Sequence, residues 1–244
     1  MLPKLVMFDY GETLAHEDDF NARDGFAAVL QYAVENPSGA DADTLFSRFR
    51  SAYYELRRQA HAIGIEIPNV RRWQWLFDIF GLQFSTSMEY LEDVFWDAAA
   101  PCVPTPDIKS LLALLREKNI STGVISNMGF SGRALQRRLG NLFPEHRFDF
   151  VLSSADYILR KPNSRIFELG LKMADCRAED AWFLGDNPRC DIAGAASAGI
   201  FPVLYTRDLG CAYREAEDMT ALPPCMQTDD WNRIIDIIKN DDHC

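Results

Sequence analysis

An apolar run at residues 4–8 opens the chain and ends at the carboxylate Asp9. A continuous apolar run of this length predicts a β-strand that is buried on both faces. In an open α/β sheet, ligands bind at the edge beyond the carboxyl ends of the strands, and this strand would deliver Asp9 to that edge. From this stretch alone, Asp9 could be a nucleophile, a metal ligand or a helix cap.

A helical pattern replaces the strand pattern after a polar stretch at residues 16–19. Apolar residues then recur at steps of three and four in successive segments, which predicts four helices with no strand between them. These residues are Phe26, Val29, Leu30 and Ala33; Leu45, Phe46, Phe49, Ala52, Tyr53 and Leu56; Trp73, Leu76, Phe77 and Phe80, before Gly81; and Met88, Leu91, Val94 and Phe95.

Three prolines between residues 101 and 106 end the helical block. Because proline cannot continue a helix, this stretch predicts a stiff linker. Asp107 is the predicted N-cap of the helix that follows, at residues 108–118.

Beyond the linker, strand patterns alternate with amphipathic helices. Strands are predicted at 120–125, 148–152, 181–184 and 201–205, and helices at 108–118, 132–139, after Pro162 and Asn163, at 192–198 and at 231–238. Repeated β–α units of this kind imply a parallel sheet covered on both faces. The predicted fold is therefore a Rossmann-like α/β core, residues 1–15 and 104–244, with an inserted all-helical cap domain, residues 16–103. Residues 208–228 have no predicted role.

Composition and charge narrow the functional class. The 244 residues are 48% hydrophobic, which is ample for a packed core, and the net charge of −11 disfavours nucleic acid or an anionic membrane as a partner. The six cysteines have no metal-ligand spacing, the first apolar run is too short for a signal peptide, and no apolar stretch is long enough to span a bilayer. A cytoplasmic protein with reduced thiols is expected; its oligomeric state cannot be predicted.

Polar residues follow several of the predicted strands. Asp9, Ser126, Asn127 and Asp186 come at strand ends, and Lys161 comes just before a helix. Carboxylates, a hydroxyl and an ammonium are the groups needed for phosphoryl transfer to an enzyme aspartate, which depends on positioning and charge neutralisation. Two carboxylates at one edge also suit Mg²⁺, which combines one or two carboxylates with phosphate oxygens and water.

These motifs, in this order, resemble those of the haloacid dehalogenase superfamily of hydrolases. They are FDYGETL at 8–14, VISN at 124–127, KP at 161–162, and GDNPRCD at 185–191 followed by IAGA. One such motif is weak evidence, but four in order at predicted strand ends or loops are specific. The helical insertion resembles the cap that the first subclass of the superfamily places over its site.

The resemblance implies a metal site and a nucleophile. It makes Asp9 the nucleophile that forms an aspartyl-phosphate and also a ligand of Mg²⁺. The backbone carbonyl of Gly11 and the carboxylate of Asp186 would be further ligands. Asp191 would support the metal directly or through water.

The resemblance also implies how phosphate is held. Ser126, Asn127 and Lys161 would bind the phosphate of a small phosphorylated substrate, and Lys161 would reduce its repulsion from the carboxylates. The function expected from the resemblance is that of an Mg²⁺-dependent phosphohydrolase acting on a small phosphorylated metabolite.

Gly11 departs from the family pattern. Phosphatases of the superfamily carry a second aspartate at this position, which protonates the leaving group and then activates water. A positioned acid/base is typically worth about 10²–10⁴-fold in rate. Glu12, His16 or a cap residue could substitute, or a substrate with a good leaving group could need no acid. The alternative function is a catalytically weak or inactive binding or regulatory protein that keeps the metal and phosphate site.

Several conspicuous cap residues have simpler interpretations. Arginines on helices most often form a solvated face, and aromatic residues at helical spacing most often form a core. The arginines are Arg57, Arg58, Arg71 and Arg72, and the aromatic residues are Trp73, Trp75 and Phe77.

Overall fold

The computed structural model describes residues 2–210 and 222–240. Its strands are β1 (Leu5–Phe8), β2 (Ala15–Glu17), β3 (Ala33–Glu35), β4 (Gln83–Phe84), β5 (Cys102–Pro104), β6 (Ser121–Ser126), β7 (Phe150–Ser153), β8 (Ala181–Gly185), β9 (Phe201–Tyr205) and β10 (Met226–Thr228). Its α-helices are α1 (Ala22–Leu30), α2 (Ala42–Ala62), α3 (Asn69–Phe80), α4 (Met88–Ala99), α5 (Ile108–Glu117), α6 (Gly132–Leu142), α7 (Ser154–Tyr157), α8 (Ser164–Met173), α9 (Gly194–Ser197) and α10 (Trp231–Asn240). A 3₁₀ turn (Ala178–Asp180) and a π-helical turn (Pro188–Ala193) flank β8.

Six strands form one parallel sheet in the order β10-β9-β8-β1-β6-β7. The first strand lies in its middle, where Phe8 is in register with Val124 on one side and Leu184 on the other. All four residues of β1 are buried, which explains the unbroken apolar run, since a central parallel strand faces a layer of helices on both sides. The predicted α/β fold class is confirmed.

The inserted block is mainly helical, as predicted, but it is not wholly helical. The first helix ends at Leu30, and residues 33–35 form β3, which pairs antiparallel with β4. Ala33, which the periodicity places on a helix face, instead lies opposite Phe84. Local periodicity could not show this, because the pairing joins segments that are far apart in the chain.

A second two-stranded ribbon joins the helical block to the sheet. The proline-rich linker contains β5, which pairs antiparallel with β2, so that Pro104 lies opposite Ala15. Thr105 extends the contact, because its backbone N–H donates to Leu14 O at 3.0 Å and its hydroxyl donates to Thr13 O at 2.7 Å. Both predicted domain limits, between 15 and 16 and between 103 and 104, fall inside this ribbon; the division into domains stays a prediction.

Asp107 precedes helix α5 but does not cap it. Its φ of 61° is in the left-handed region and its side chain makes no capping hydrogen bond. An N-cap side chain normally reaches the first free N–H groups from an extended backbone. Asp107 therefore occupies the predicted N-cap position, but its side chain does not supply the capping hydrogen bond.

The remaining part of the chain adds one strand and no spanning helix. The segment at 208–228 contains β10 at its end, and its residues 211–221 lie outside the described residues. Within residues 2–210 and 222–240, no helix is both long and apolar enough to cross a membrane.

Two glycines give a matched test of this packing. A Cβ on Gly123 of β6 would lie 2.2 Å from the Phe150 ring, whereas a Cβ on Gly140 of α6 would meet nothing within 4 Å. Gly123→Ala should destabilise the fold by about 1–3 kcal/mol through overpacking. Gly140→Ala should stabilise it by about 0.5–1 kcal/mol, because alanine loses less entropy in a helix. Urea unfolding measures both, and equal effects would contradict the packing of β6 against Phe150.

Candidate active site

Three carboxylates meet at the carboxyl ends of β1 and β8. Asp9 follows β1, Asp186 follows β8, and Asp191 lies in the π-helical turn; one oxygen from each lies within 4.8 Å of the others. Asp9 and Asp186 are side by side because their strands are neighbours in the sheet. Asp191 is five residues after Asp186, and the π-helical turn brings it back to the other two carboxylates.

Asn187 and Gly185 shape that turn. The Asn187 side chain accepts hydrogen bonds from the backbone of the next turn, including Cys190 N at 2.7 Å, and its own N–H donates to Asp191 Oδ2 at 2.9 Å. A Cβ on Gly185 would lie 2.4 Å from Asp191 Oδ2. Only glycine at this position therefore leaves room for the Asp191 carboxylate.

Lys161 is the cation of this centre. Its Nζ lies 2.6 Å from Asp9 Oδ1 and 2.7 Å from Asp191 Oδ1, and it donates to Ile125 O at 2.7 Å. Its side chain is 1% exposed. Burial lowers the pKa of Lys161, but the charges of Asp191 and Asp9 outweigh burial and raise it above its usual value. Lys161 is therefore held as an ammonium between two carboxylates.

Asn127 holds the backbone of Lys161. Its side-chain amide donates to Lys161 O at 2.9 Å, and its side-chain oxygen accepts from Lys161 N at 2.8 Å. Both ends of this side chain are thus used in positioning the lysine. Binding of substrate by Asn127 stays a prediction. The contact that anchors the Lys161 backbone could not be predicted from the sequence.

Ser126 and Gly11 line a cavity that is also lined by Asp9, Asp186 and Asp191. Ser126 is the last residue of β6 and is 3% exposed. A Cβ on Gly11 would meet no atom within 4 Å. Among the described residues, no atom therefore occupies the space next to the Gly11 backbone where a side chain would begin.

Glu12 also lines the cavity and is bound to a histidine. Its φ is 55°, and its carboxylate oxygens lie 2.9 and 3.0 Å from His16 Nδ1. The other ring nitrogen of His16 lies 2.7 Å from Asp18 Oδ1. Burial lowers the pKa of His16, but the hydrogen bonds and charges of Glu12 and Asp18 outweigh burial and raise it above its usual value. Glu12 and His16 thus form a hydrogen-bonded pair, of which Glu12 lines the cavity wall.

Glu17 is a further carboxylate beside the cavity, but it is surrounded by donors. It accepts hydrogen bonds from the Tyr10 hydroxyl, from Trp96 Nε1 and from Arg138, at 3.2–3.3 Å. Within residues 16–103, where the sequence left a source of an acid open, Glu17 is thus a carboxylate at the cavity wall whose described hydrogen bonds come from core side chains.

The three central carboxylates outnumber the one ammonium among them. Burial raises the pKa of Asp191 to about 6, and the negative charge of Asp9 adds to this effect against the opposing charge of Lys161. A divalent cation would offset the excess negative charge. Carboxylate oxygens at this spacing are hard donors that fit Mg²⁺.

A cavity of about 680 Å³ extends from this centre to the helical block. Its far wall is basic and aromatic rather than acidic. The basic residues are Arg57, Arg72 and Arg160, and the aromatic residues are Phe20, Phe49, Trp73, Phe95, Trp96 and Phe130.

One of the four cap arginines, Arg72, does not lie on a solvated helix face, contrary to the prediction. Arg72 is buried, and Arg57 projects into the cavity, where it keeps access to solvent. Arg58 and Arg71 are exposed, as predicted, and Arg58 pairs with Glu55 on the same helix. The difference at Arg72 arises because α3 turns that residue toward the cavity.

The aromatic residues predicted for the cap core are buried to different degrees. Trp73 and Phe77 are buried, and Trp75 is half-buried. Trp73 packs on Phe95 with ring centroids 4.4 Å apart and also lines the cavity. It therefore belongs both to the core and to the cavity wall.

Glu66 joins the helical block to the core beside the cavity. Its side chain is buried, accepts a hydrogen bond from Ser154 at 2.9 Å, lies 3.1 Å from His61 Nε2 and pairs with Arg160. Its backbone N–H donates to Ile158 O at 2.7 Å. Burial alone would raise the pKa of Glu66, but His61 and Arg160 outweigh burial and lower it to about 2.

Known proteins resemble the chain along most of its length. A family model described as haloacid dehalogenase-like hydrolase matches residues 3–199. The glyceraldehyde 3-phosphate phosphatase of Methanothermobacter thermautotrophicus is 34% identical over 119 residues, 49% of this chain and 52% of that protein. The ribulose-1,5-bisphosphate 5-phosphatase of Halopiger xanaduensis is 27% identical over 202 residues, 82% of this chain and 83% of that protein.

The fold is also found in solved structures. The crystal structure of a HAD phosphatase from Thermococcus onnurineus superposes with a TM-score of 0.63 at 19% identity, covering 98% of each chain. At this identity the likeness shows the fold alone. The chain spans about half the length of the first curated relative.

The contact made by Glu66 predicts a pH dependence of stability. Because the folded protein holds the pKa of Glu66 at about 2, below its ordinary 4.5, the stabilisation is complete above pH 4.5 and is lost as the pH falls toward 2. Between pH 6 and pH 3.5, the free energy of unfolding of wild type should therefore fall by about 1 kcal/mol more than that of Glu66→Gln. Urea unfolding at several pH values measures the difference.

Glu55→Gln is the matched control for this test. Hydrogen bonds from Arg58 lower the pKa of Glu55 to about 2 as well, but Glu55 is exposed, and solvent screens an exposed pair. This control should leave the pH dependence nearly unchanged. If the free energy of unfolding changes with pH in the same way in wild type and in Glu66→Gln, the Glu66 contact contributes nothing to the pH dependence of stability.

Proposed function

The chain belongs to the haloacid dehalogenase-like hydrolases, and from that premise we propose that it is an Mg²⁺-dependent phosphohydrolase of small phosphorylated metabolites. The observation that carries this proposal is the Lys161 ammonium, which lies between Asp9 and Asp191 while Asp186 stands beside them. Relatives named as phosphatases of small sugar phosphates support the substrate class.

In the proposed reaction, Asp9 is the nucleophile. One of its carboxylate oxygens attacks phosphorus, the bond from phosphorus to the leaving oxygen breaks, and an aspartyl-phosphate forms. Ser126 donates a hydrogen bond to the transferred group, and Lys161 neutralises part of its charge. Water then attacks phosphorus and releases phosphate, which restores the Asp9 carboxylate.

The metal would be held by the acidic centre. Asp9, Asp186 and the backbone carbonyl of Gly11 would be its ligands, with Asp191 supporting it. When bound, Mg²⁺ supplies charge neutralisation that lets an anionic nucleophile approach an anionic phosphate. Lys161 contributes to the same neutralisation from the buried side of the centre.

The leaving group needs a proton that Gly11 cannot supply. Glu12 lines the cavity beside Asp9 and is hydrogen-bonded to His16, so this pair is our candidate for the acid. A substrate with a good leaving group, such as an acyl phosphate, would need no acid. The alternative function, a binding or regulatory protein without turnover, keeps the same centre and lacks only this step.

Asp9→Asn tests the nucleophile. Wild type should release phosphate from acetyl phosphate in the presence of Mg²⁺, and Asp9→Asn should not, because an amide is a far weaker nucleophile than a carboxylate. Phosphate release with and without EDTA is the measurement. Asp236→Asn, on the exposed face of α10, is the control and should keep full activity. Equal inertness of wild type and Asp9→Asn on acyl phosphates and esters would refute the catalytic proposal.

Gly11→Asp tests the missing acid. A Cβ at position 11 meets no atom within 4 Å. The new aspartate should therefore raise turnover of an alkyl phosphate ester by about 10²–10⁴-fold. Acetyl phosphate, which leaves easily, should gain little. Gly11→Asn is the matched control, since it fills the same space but gives no proton. The readout is kcat for both substrates.

Glu12→Gln separates the remaining outcomes. If Glu12 is the acid, this change should reduce ester turnover in wild type while substrate binding survives. An ester activity that is absent in wild type and present in Gly11→Asp would favour the binding-protein alternative. No gain in Gly11→Asp and no loss in Glu12→Gln would contradict both assignments of the acid.

A further inference from the structure

Arg72 lies in the cavity wall without an acidic partner. It is 5% exposed, and within the described residues it forms no ion pair with a carboxylate. Its one side-chain hydrogen bond goes to Asn69 Oδ1, and its guanidinium stands over the Phe49 ring, 4.9 Å from the centroid. A buried charge without a counter-charge is costly, so its presence calls for an explanation.

Two buried donors of this wall have no acceptor. Arg72 Nε and Trp73 Nε1 both lack a hydrogen-bond partner in the part of the chain that the structure describes. Both side chains line the cavity. Buried polar groups are normally hydrogen-bonded, and both of these atoms can only donate. A ligand that meets them must therefore bring acceptor atoms.

Most of the charges around Arg72 are positive. Arg57 and Arg160 line the same cavity, and among the described residues Glu66 is the carboxylate whose charge acts on Arg72 and Arg57. Burial lowers the pKa of Arg72 to about 10, and the positive charge of Arg57 adds to this effect against the opposing charge of Glu66. Arg72 and Arg57 of the helical block and Arg160 of the core outnumber Glu66, which leaves a net positive charge around Arg72.

The basic wall is within reach of a small molecule whose phosphate lies at Asp9. A Cβ on Gly129 would lie 3.1 Å from an Arg72 nitrogen, and Gly129 is three residues after Ser126. Three Cα steps of about 3.8 Å limit the distance between Ser126 and Gly129 to about 11 Å. The backbone N–H of Asn69 also donates to Gly129 O at 2.8 Å, which fixes α3 against this loop.

We propose that Arg72, assisted by Arg57, binds a second anionic group of the substrate, so that this site selects organic phosphates carrying a carboxylate or another phosphate. The proposal rests on the proposed function, because it places the transferred phosphate at Asp9. Arg72 is buried against the Phe49 ring, and a guanidinium in such low-dielectric surroundings attracts an anion more strongly than one in water. The substrate therefore spans the cavity, with one anionic group at each end.

Equilibrium binding tests the proposal without requiring turnover. The protein is the full chain with Asp9→Asn, and the ligands are 3-phosphoglycerate and glycerol 3-phosphate in the presence of Mg²⁺. These ligands differ in one group, a carboxylate in place of a hydroxymethyl. Calorimetry should give a Kd about 10- to 100-fold lower for 3-phosphoglycerate, as expected for a charge-assisted hydrogen bond to Arg72.

Substitution of Arg72 should remove this preference. In Arg72→Met, which keeps the aliphatic stem, the two Kd values should become similar, and Arg72→Lys should give an intermediate ratio. Arg71→Met is the matched control, because Arg71 is the exposed neighbour on the same helix, and it should keep the full ratio. Because Arg72→Met removes a buried unpaired charge, its melting temperature should equal or exceed that of the parent.

Three results would overturn the proposal: no preference in the parent, a ratio unchanged by Arg72→Met, or the same loss in Arg71→Met. Failure of the proposed function looks different. It would leave acetyl phosphate, which has no second anionic group, unhydrolysed by wild type, whatever the Kd ratio.

Discussion

The buried contact of Lys161 with Asp9 and Asp191 is the interaction on which the site depends. Removing three charges from water is unfavourable unless they compensate one another, and here one ammonium lies between two carboxylates with a third beside them. Each partner comes from a different part of the chain. The sheet order, with β1 in the middle, brings these parts together, and the Asn127 amide fixes the lysine backbone.

The cavity has opposite charges at its two ends. The carboxylates of Asp9, Asp186 and Asp191 meet at one end, whereas Arg72 and Arg57 of the helical block, together with Arg160 of the core, make another part of the wall basic. The block is held in this position by contacts at loops of the core, such as Glu66 with Ser154 and Asn69 with Gly129. The geometry that would bind a substrate therefore depends on docking of the block as well as on the sheet.

Much of the acidic centre could be predicted from the sequence because strand-end residues of a parallel sheet meet at one edge. Asp9, Ser126 and Asp186 follow buried apolar runs, and their meeting needs only the strand order. Lys161 could be placed only through the resemblance of its motif. The anchoring role of Asn127 was missed, since it depends on the backbone of a residue 34 positions away.

The cap could be predicted less well, because its details depend on tertiary contacts. Helical periodicity identified its helices but not the pairing of β3 with β4. The same periodicity placed Arg72 on an outer face, whereas α3 turns that residue into the cavity. An arginine four residues from an apolar position can face solvent or a cleft, and only the packing of α3 against the core decides between them.

The most direct test of the central claim is to trap the phosphorylated aspartate. Wild type is mixed with acetyl phosphate and Mg²⁺ and then reduced with borohydride, which converts an aspartyl-phosphate to homoserine, and the peptides are analysed by mass spectrometry. The account predicts homoserine at position 9 and at no other aspartate. Phosphate release without homoserine at position 9, or with homoserine at Asp186 or Asp191 instead, would contradict it.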